Sequence, residues 1–251
     1  MRMPANELLL DVRDLQIRYG AATAVNGVNL QVRRGELVAI IGNNGAGKTS
    51  ILGGISGLVR PSAGRITFKG RDTERLSAHR KVALGLVLIP EGRLIFADQT
   101  VEDNMILGAY GRWRRERGAI GEDFERLYTQ FPRLRERRHQ RAGSLSGGEQ
   151  QMLAIARGLV AKPDLLMIDE VSLGLAPKIV EQLMTVLRDL NAQGLSILLV
   201  EQLAAHALAI SHRAYVLARG RVEIEGPSST VATHPAVMEA FLGKKRSSVQ
   251  P

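Results

Sequence analysis

The chain contains no cysteine, which excludes disulfides, thiolate metal sites and cysteine nucleophiles and fits a reducing compartment. It also lacks a long apolar run: stretches such as 37–41 and 197–200 fall far short of the ~20 residues that a membrane-spanning helix needs. Residues 1–6 hold one arginine and no apolar core of signal-peptide length, so no leader is expected. Internal repeats are absent. These absences predict a soluble protein that reaches a membrane, if at all, through a partner.

What is present fits an ordinary globular protein. The 251 residues are 45% hydrophobic and 24% charged, enough for one large domain or two small ones around a sizeable core. The net charge is +9, and it is unevenly placed. Between positions 112 and 141 ten arginines face five acids, giving 10 − 5 = +5 of that total. Such a stretch is either a solvated helical face, the reading favoured here, or a patch for nucleic acid or anionic lipid. A second basic cluster, Lys244-Lys245-Arg246, falls in a tail over 244–251 expected to be flexible.

Periodicity organises the rest. Residues 8–19 and 23–32 alternate apolar and polar positions as strands do, and 64–69 is a short β-rich run. A compact apolar strand at 37–41 leads through glycines into a helical pattern over 48–58. The region from about 100 to 162 carries helical spacing without good strand candidates. Buried strands follow at 165–168 and 196–200, separated by a helix over 176–193. Near the end, 214–218 and 221–225 flank Arg219-Gly220 as a hairpin. The pattern predicts one α/β domain over 1–243 with a mostly helical insertion at about 93–158.

Three motifs carry chemistry. Gly42-Asn43-Asn44-Gly45-Ala46-Gly47-Lys48-Thr49, followed by Ser50, matches G-x-x-x-x-G-K-[ST] between a strand and a helix. Its glycines allow a tight turn that points backbone N–H groups at phosphate oxygens, and the helix adds its positive N-terminal end. Lys48 would neutralise the β and γ phosphates, and the Thr49 hydroxyl would ligate Mg²⁺. The second motif, Leu165-Leu166-Met167-Ile168-Asp169-Glu170, is a buried strand ending in two carboxylates. Asp169 is placed to hold Mg²⁺ and Glu170 to act as general base toward water.

The third motif, Leu145-Ser146-Gly147-Gly148-Glu149-Gln150, resembles the signature of ATP-binding-cassette (ABC) proteins. Chance would produce six such residues on the order of once in 10⁵ chains of this size. The resemblance implies a P-loop NTPase core of RecA-like type with an N-terminal antiparallel β subdomain and an inserted α-helical subdomain. It further implies that Ser146, Gly147, Gly148 and Glu149 contact ATP held by a second protomer, so that two nucleotides sit at a dimer interface. Tyr19 would stack on adenine, with Val25 among the nucleotide contacts; a half-buried strand tyrosine is the competing reading.

Ile89-Pro90-Glu91-Gly92-Arg93, Ser172-Leu173-Gly174-Leu175-Ala176-Pro177 and Leu199-Val200-Glu201-Gln202 are similar to one subunit type, the shorter ATPase of bacterial branched-chain amino-acid importers. That likeness implies ATP and Mg²⁺ as cofactors and a location on the cytoplasmic face of the inner membrane. It also implies a second ABC ATPase or a second copy as partner, two transmembrane permeases, and indirectly a solute-binding protein, with no nucleic acid. Urea and short-amide importers share several of these features. The rival class is a soluble cassette ATPase of nucleic-acid repair or translation, which usually carries two cassettes or long coiled-coil or zinc insertions. Three positions depart from the general family pattern: Glu91 replaces a glutamine that senses Mg²⁺, Gln202 a histidine, and Val171 a proline. Glu91 can still serve as a hard oxygen ligand, and Gln202 can still donate to a γ-phosphate.

Overall fold

A computed structural model describes residues 7–242, the side chains of residues 114 and 115 excepted. The expected flexible tail at 244–251 lies outside the described residues.

Ten strands form two sheets: β1 (Leu8–Tyr19), β2 (Ala22–Arg33), β3 (Leu37–Ile41), β4 (Ala63–Phe68), β5 (Arg71–Asp72), β6 (Leu86–Ile89), β7 (Leu165–Asp169), β8 (Ser196–Glu201), β9 (Arg213–Ala218) and β10 (Arg221–Pro227). The larger sheet has the order β10-β9-β3-β8-β7-β6, parallel from β9 to β6 and closed by antiparallel β10. The smaller sheet, β2-β1-β4-β5, is antiparallel. Every residue of β3, β7 and β8 is buried, because helices or the other sheet cover both faces. That is why these strands appear in the sequence as unbroken apolar runs.

The helices are α1 (Lys48–Ser56), α2 (Ala78–Ala83), α3 (Val101–Gly108), α4 (Trp113–Gln130), α5 (Pro132–Glu136), α6 (Gly147–Val160), α7 (Pro177–Ala192), α8 (Ala204–Ile210), α9 (Ser228–Thr233) and α10 (Pro235–Phe241). Alternation along the parallel strands divides the interior into two cores. Leu37, Ala39 and Ile41 pack with α3 to α8 through residues such as Leu153, Leu183 and Leu187. Val38 and Ile40 pack with α1 (Ile51, Leu52, Ile55) and the antiparallel sheet (Leu10, Val12, Ile17, Val28). The helix α1 is thus wedged between the sheets, which fixes the loop in front of it.

Two departures from the sequence pattern bear on the site. The edge strand β6, bounded by Gly85 and Pro90, is only four residues long, too short for the sequence pattern to reveal. It pairs with β7 and delivers Glu91 to the sheet's ligand-binding edge. The helix after the glycine loop stops at Ser56 because Gly57 turns left-handed (φ 82°), with its N–H bonded to Gly54 O. The hairpin at Arg219-Gly220 forms as expected, both residues having positive φ (49° and 75°).

Among the described residues, five of the ten arginines in the arginine-rich stretch form ion pairs within the chain. Arg112 pairs with Glu116 and Asp123, Arg126 with Asp123, Arg133 with Glu136, Arg135 with Glu125 and Arg137 with Glu149. Lys162 also reaches Asp123, at 2.9 Å. Of the two readings of this stretch, paired charges favour the solvated helical face. No helix among the described residues is long and apolar enough to cross a membrane.

Candidate active site

The loop between β3 and α1 wraps a cleft of about 450 Å³ lined by Ala24, Asn44 to Ser50, Glu91, Glu170 and Leu173. Gly47, at φ 103°, is the N-cap of α1 and supplies no side-chain cap, so the helix presents its N-terminal N–H groups to the cleft. A Cβ on Gly47 would lie 2.5 Å from Ala24 O, so only glycine fits there. Lys48 is 4% exposed and donates from Nζ to Gly42 O (2.8 Å) and Asn43 O (3.2 Å). Nζ also stands 3.0 Å from Glu170 Oε1. A cation, a helix N-terminus and a carboxylate therefore meet in one cleft.

Asp169 ends β7 and is 2% exposed. Its hydrogen bond partner is Thr49, while Oδ1 is buried with no hydrogen-bond partner among the described residues. Burial, helped by the nearby charges of Glu170 and Glu91, pushes its carboxyl up to about 6. A buried hard oxygen beside a threonine hydroxyl suits a divalent cation such as Mg²⁺. Among the described residues no cluster of three or more His, Cys, Asp or Glu could hold a metal alone. Such an ion would therefore complete its coordination with phosphate and water, the usual habit of Mg²⁺. The observed donor set fits it.

Glu170 has a left-handed backbone (φ 46°), a conformation costing on the order of 1–2 kcal/mol for a residue with a side chain. Its N–H donates to Val200 O at 2.9 Å, which holds the turn against the neighbouring strand. Val171 is buried in the helical core (1% exposed). Ser172 is held by Glu201, a fully buried carboxylate at the end of β8 that sequence reasoning did not single out as a site residue. No pattern signal marks it, since an acid at a strand exit normally faces water.

Tyr19 is half exposed and its hydroxyl reaches Ser50 Oγ at 3.4 Å, so its ring stands beside the glycine loop. Val25 does not face the cleft. It is fully buried in the second core, and the alternation of β2 turns Ala24 to the cleft instead. Asn43 lines the adjoining hollow toward α10, which shares Asn44, Gly45 and Ala46 with the phosphate cleft. Gln202 is exposed at the end of β8 and does not line the cleft.

Ser146 caps α6 in a reciprocal box: Glu149 N–H donates to Ser146 Oγ at 3.4 Å, and Ser146 N–H donates to Glu149 Oε2 at 2.9 Å. Ser146, Gly148 and Glu149 line a different cleft, of about 550 Å³, with Lys178 and Ile179. The two clefts share no lining residue. Arg93, two residues beyond Glu91, donates from Nη1 to Gln150 Oε1 at 2.9 Å and so ties that segment to α6.

Residues 25–172 match the ABC transporter family. The chain is 40% identical over 225 residues to the high-affinity branched-chain amino acid transport ATP-binding protein BraG of Pseudomonas aeruginosa, spanning 90% of this chain and 95% of that one. It is 32% identical over 250 residues to LivG of Escherichia coli, a protein of the same description, spanning 94% and 98%. Among solved structures, an ATP binding subunit of an ABC transporter superposes with a TM-score of 0.77 at 28% identity over 94% of this chain and 96% of that one. A nucleotide-free ATP-binding cassette from an ABC transporter superposes with a TM-score of 0.82 at 24% identity over 94% and 100%, a likeness of fold.

Proposed function

The chain belongs to the ABC transporter family and is an ATP-hydrolysing subunit, and from that premise we propose that it powers import of branched-chain or related hydrophobic amino acids. The likeness to BraG and LivG supports the solute class. Two transmembrane permeases would be its direct partners and a second ABC ATPase, or a second copy, its dimer mate. The observation that carries the chemistry is the meeting of Lys48, the uncapped end of α1 and Glu170 in one cleft.

In the proposed mechanism the triphosphate enters along the loop of Gly42 to Ser50 and takes N–H donors from the start of α1. Its β and γ oxygens replace Glu170 as partners of Lys48. Glu170, released, orients the attacking water and accepts its proton. Thr49, Asp169 and Glu91 would hold Mg²⁺, which when bound adds positive charge at the phosphate oxygens. Tyr19 offers its ring to adenine. Ser146, Gly147, Gly148 and Glu149 close the site from the opposite protomer, since in their own chain none of them lines the phosphate cleft, and Ser146, Gly148 and Glu149 line another. Gln202 donates its amide to the γ-phosphate once the site closes.

The test is a tagged purification from native membranes in mild detergent, with co-purifying proteins identified by mass spectrometry. Two polytopic membrane proteins, a second ATPase and a binding protein loaded with a branched-chain amino acid are expected. Recovery of ribosomes or nucleic acid without membrane proteins would overturn the transport reading.

A further inference from the structure

Glu201 is the acid on the final position of β8 and is 1% exposed. Both its oxygens are used on one residue: Ser172 N–H donates to Oε1 at 3.1 Å and Ser172 Oγ donates to Oε2 at 2.5 Å. The backbone N–H of Gln202 adds a further bond. Among the described residues no lysine, arginine or histidine forms an ion pair with it. A buried carboxylate without a cation is costly to a fold, and an apolar side chain of the same volume is commonly tolerated or stabilising in its place. Stability alone therefore gives no reason for an acid at this position.

The neighbouring geometry gives one. The turn leaving β7 holds Glu170 in a left-handed backbone conformation, which persists only where its surroundings enforce it. Three contacts enforce it: Glu170 N–H to Val200 O at 2.9 Å, and the two bonds from Ser172 to Glu201. Both anchors lie on the last two residues of β8. The same clamp sets Leu173, the next residue, at the wall of the phosphate cleft. We infer that Glu201 is a positioning residue for hydrolysis, fixing the loop after Glu170 through Ser172 so that the Glu170 carboxylate keeps its aim into the cleft. It touches neither phosphate nor water itself.

This rests on the reading of Glu170 as general base, and that reading fails separately if Glu170→Gln leaves turnover intact. The test uses the full chain, with the partner subunits it needs for turnover, and measures kcat alongside the Kd for a fluorescent ATP analogue. Glu201→Ala should lower kcat about tenfold or more, as misplacement of a reacting group does. The analogue's Kd should stay within about twofold, since among the described residues the Glu201 side chain forms no hydrogen bond or ion pair with residues 42–50. Glu201→Gln, which keeps one carbonyl acceptor for Ser172 N–H, should retain clearly more activity than Glu201→Ala. Ser172→Ala removes one hydroxyl and leaves the backbone free to fold, so it reads the clamp even if Glu201→Ala folds poorly. Its kcat should fall, and adding it to Glu201→Ala, which already removes both bonds, should cost little more than Glu201→Ala alone, the mark of one shared interaction. An unchanged kcat in Ser172→Ala, additive losses in the double variant, or a Kd that weakens in step with kcat would each overturn the assignment.

Discussion

Lys48 Nζ lies 3.0 Å from Glu170 Oε1, in a cleft where the two side chains are 4% and 10% exposed. The residue that should hold phosphate is thus neutralised by the residue that should activate water. On the proposed mechanism, ATP takes Lys48 from Glu170 as it binds and in doing so frees the base for use. Binding and activation of the base become one event.

This pairing makes the two obvious variants differ. Glu170→Gln removes the competing charge from Lys48, so ATP should bind at least as tightly as to the wild type while hydrolysis falls by about 10²–10⁴. Lys48→Ala should lose both binding and turnover, because Glu170 is then a bare carboxylate facing the phosphates. Equilibrium binding of a fluorescent ATP analogue together with phosphate release separates the cases. Weaker binding by Glu170→Gln would mean that the ion pair is not what the nucleotide displaces.

A second cation is buried behind the phosphate loop. Lys81 is fully buried and donates to Gly54 O (3.2 Å) and Ile55 O (2.8 Å), the last carbonyls of α1. A positive charge there suits the helix dipole, but burial lowers its pKa from 10.5 to about 8, against the opposing pull of Glu74. Since the folded value lies below the unfolded one, the folded chain releases this proton first. Stability from this group is therefore flat below pH 8 and rises as pH climbs from about 8 toward 10.5. Urea unfolding midpoints of wild type and Lys81→Met, compared at pH 7 and pH 9.5, should show a relative gain for wild type at the higher pH. A difference that stays constant would place the Lys81 transition elsewhere.

The signature offers a packing test. A Cβ on Gly148 would lie 2.6 Å from Ile179 Cγ2, a stiff branched side chain on α7, whereas one on Gly147 would meet only the flexible tip of Arg93 at 3.0 Å. Gly148→Ala should destabilise the fold by about 1–3 kcal/mol through overpacking. Gly147→Ala should cost clearly less, since the arginine can swing away. Chemical denaturation of both variants checks the order, and equal costs would argue that α6 and α7 are not closely packed there.

The chemistry was legible in the sequence wherever a residue type is required by backbone geometry or phosphate contact. Gly47, Lys48, Thr49 and the acids closing β7 fall in that class, as do the strands buried on both faces. What was not legible depends on who packs against whom. The edge strand β6 is too short to show a period, and Val25 and Ala24 trade places with a shift of one residue in which face of β2 is inward. Glu201 and Lys81 are charged residues whose burial no local pattern announces. The contact of Lys48 with Glu170 joins positions more than a hundred residues apart, so only the packed sheet brings it into view.

Which protomer supplies the signature is open to a direct test. Within one chain, Ser146 lines a cleft that shares no residue with the phosphate cleft. If Ser146 meets ATP across a symmetric dimer interface, each site combines the loop of one protomer with the signature of the other. Lys48→Ala spoils the loop. Ser146→Asp spoils the signature by aiming a carboxylate at phosphate, yet aspartate caps a helix as well as serine does, so α6 should still form. Each variant alone is expected to be inactive. Mixed in equal amounts, half of the dimers pair one of each, and each such dimer carries one site built from an intact loop and an intact signature. Activity should return to about a quarter of the wild-type rate, provided that one site can fire alone. Titration of one variant into the other, followed by phosphate release, measures this directly. Failure of the mixture to regain activity, with mixed dimers demonstrated by native mass spectrometry, would mean either that Ser146 does not act across the interface or that a single intact site cannot turn over. A dimer linked covalently with both lesions in one protomer decides between them. It leaves each site with one damaged half under the shared arrangement, and one wholly intact site if each protomer serves itself.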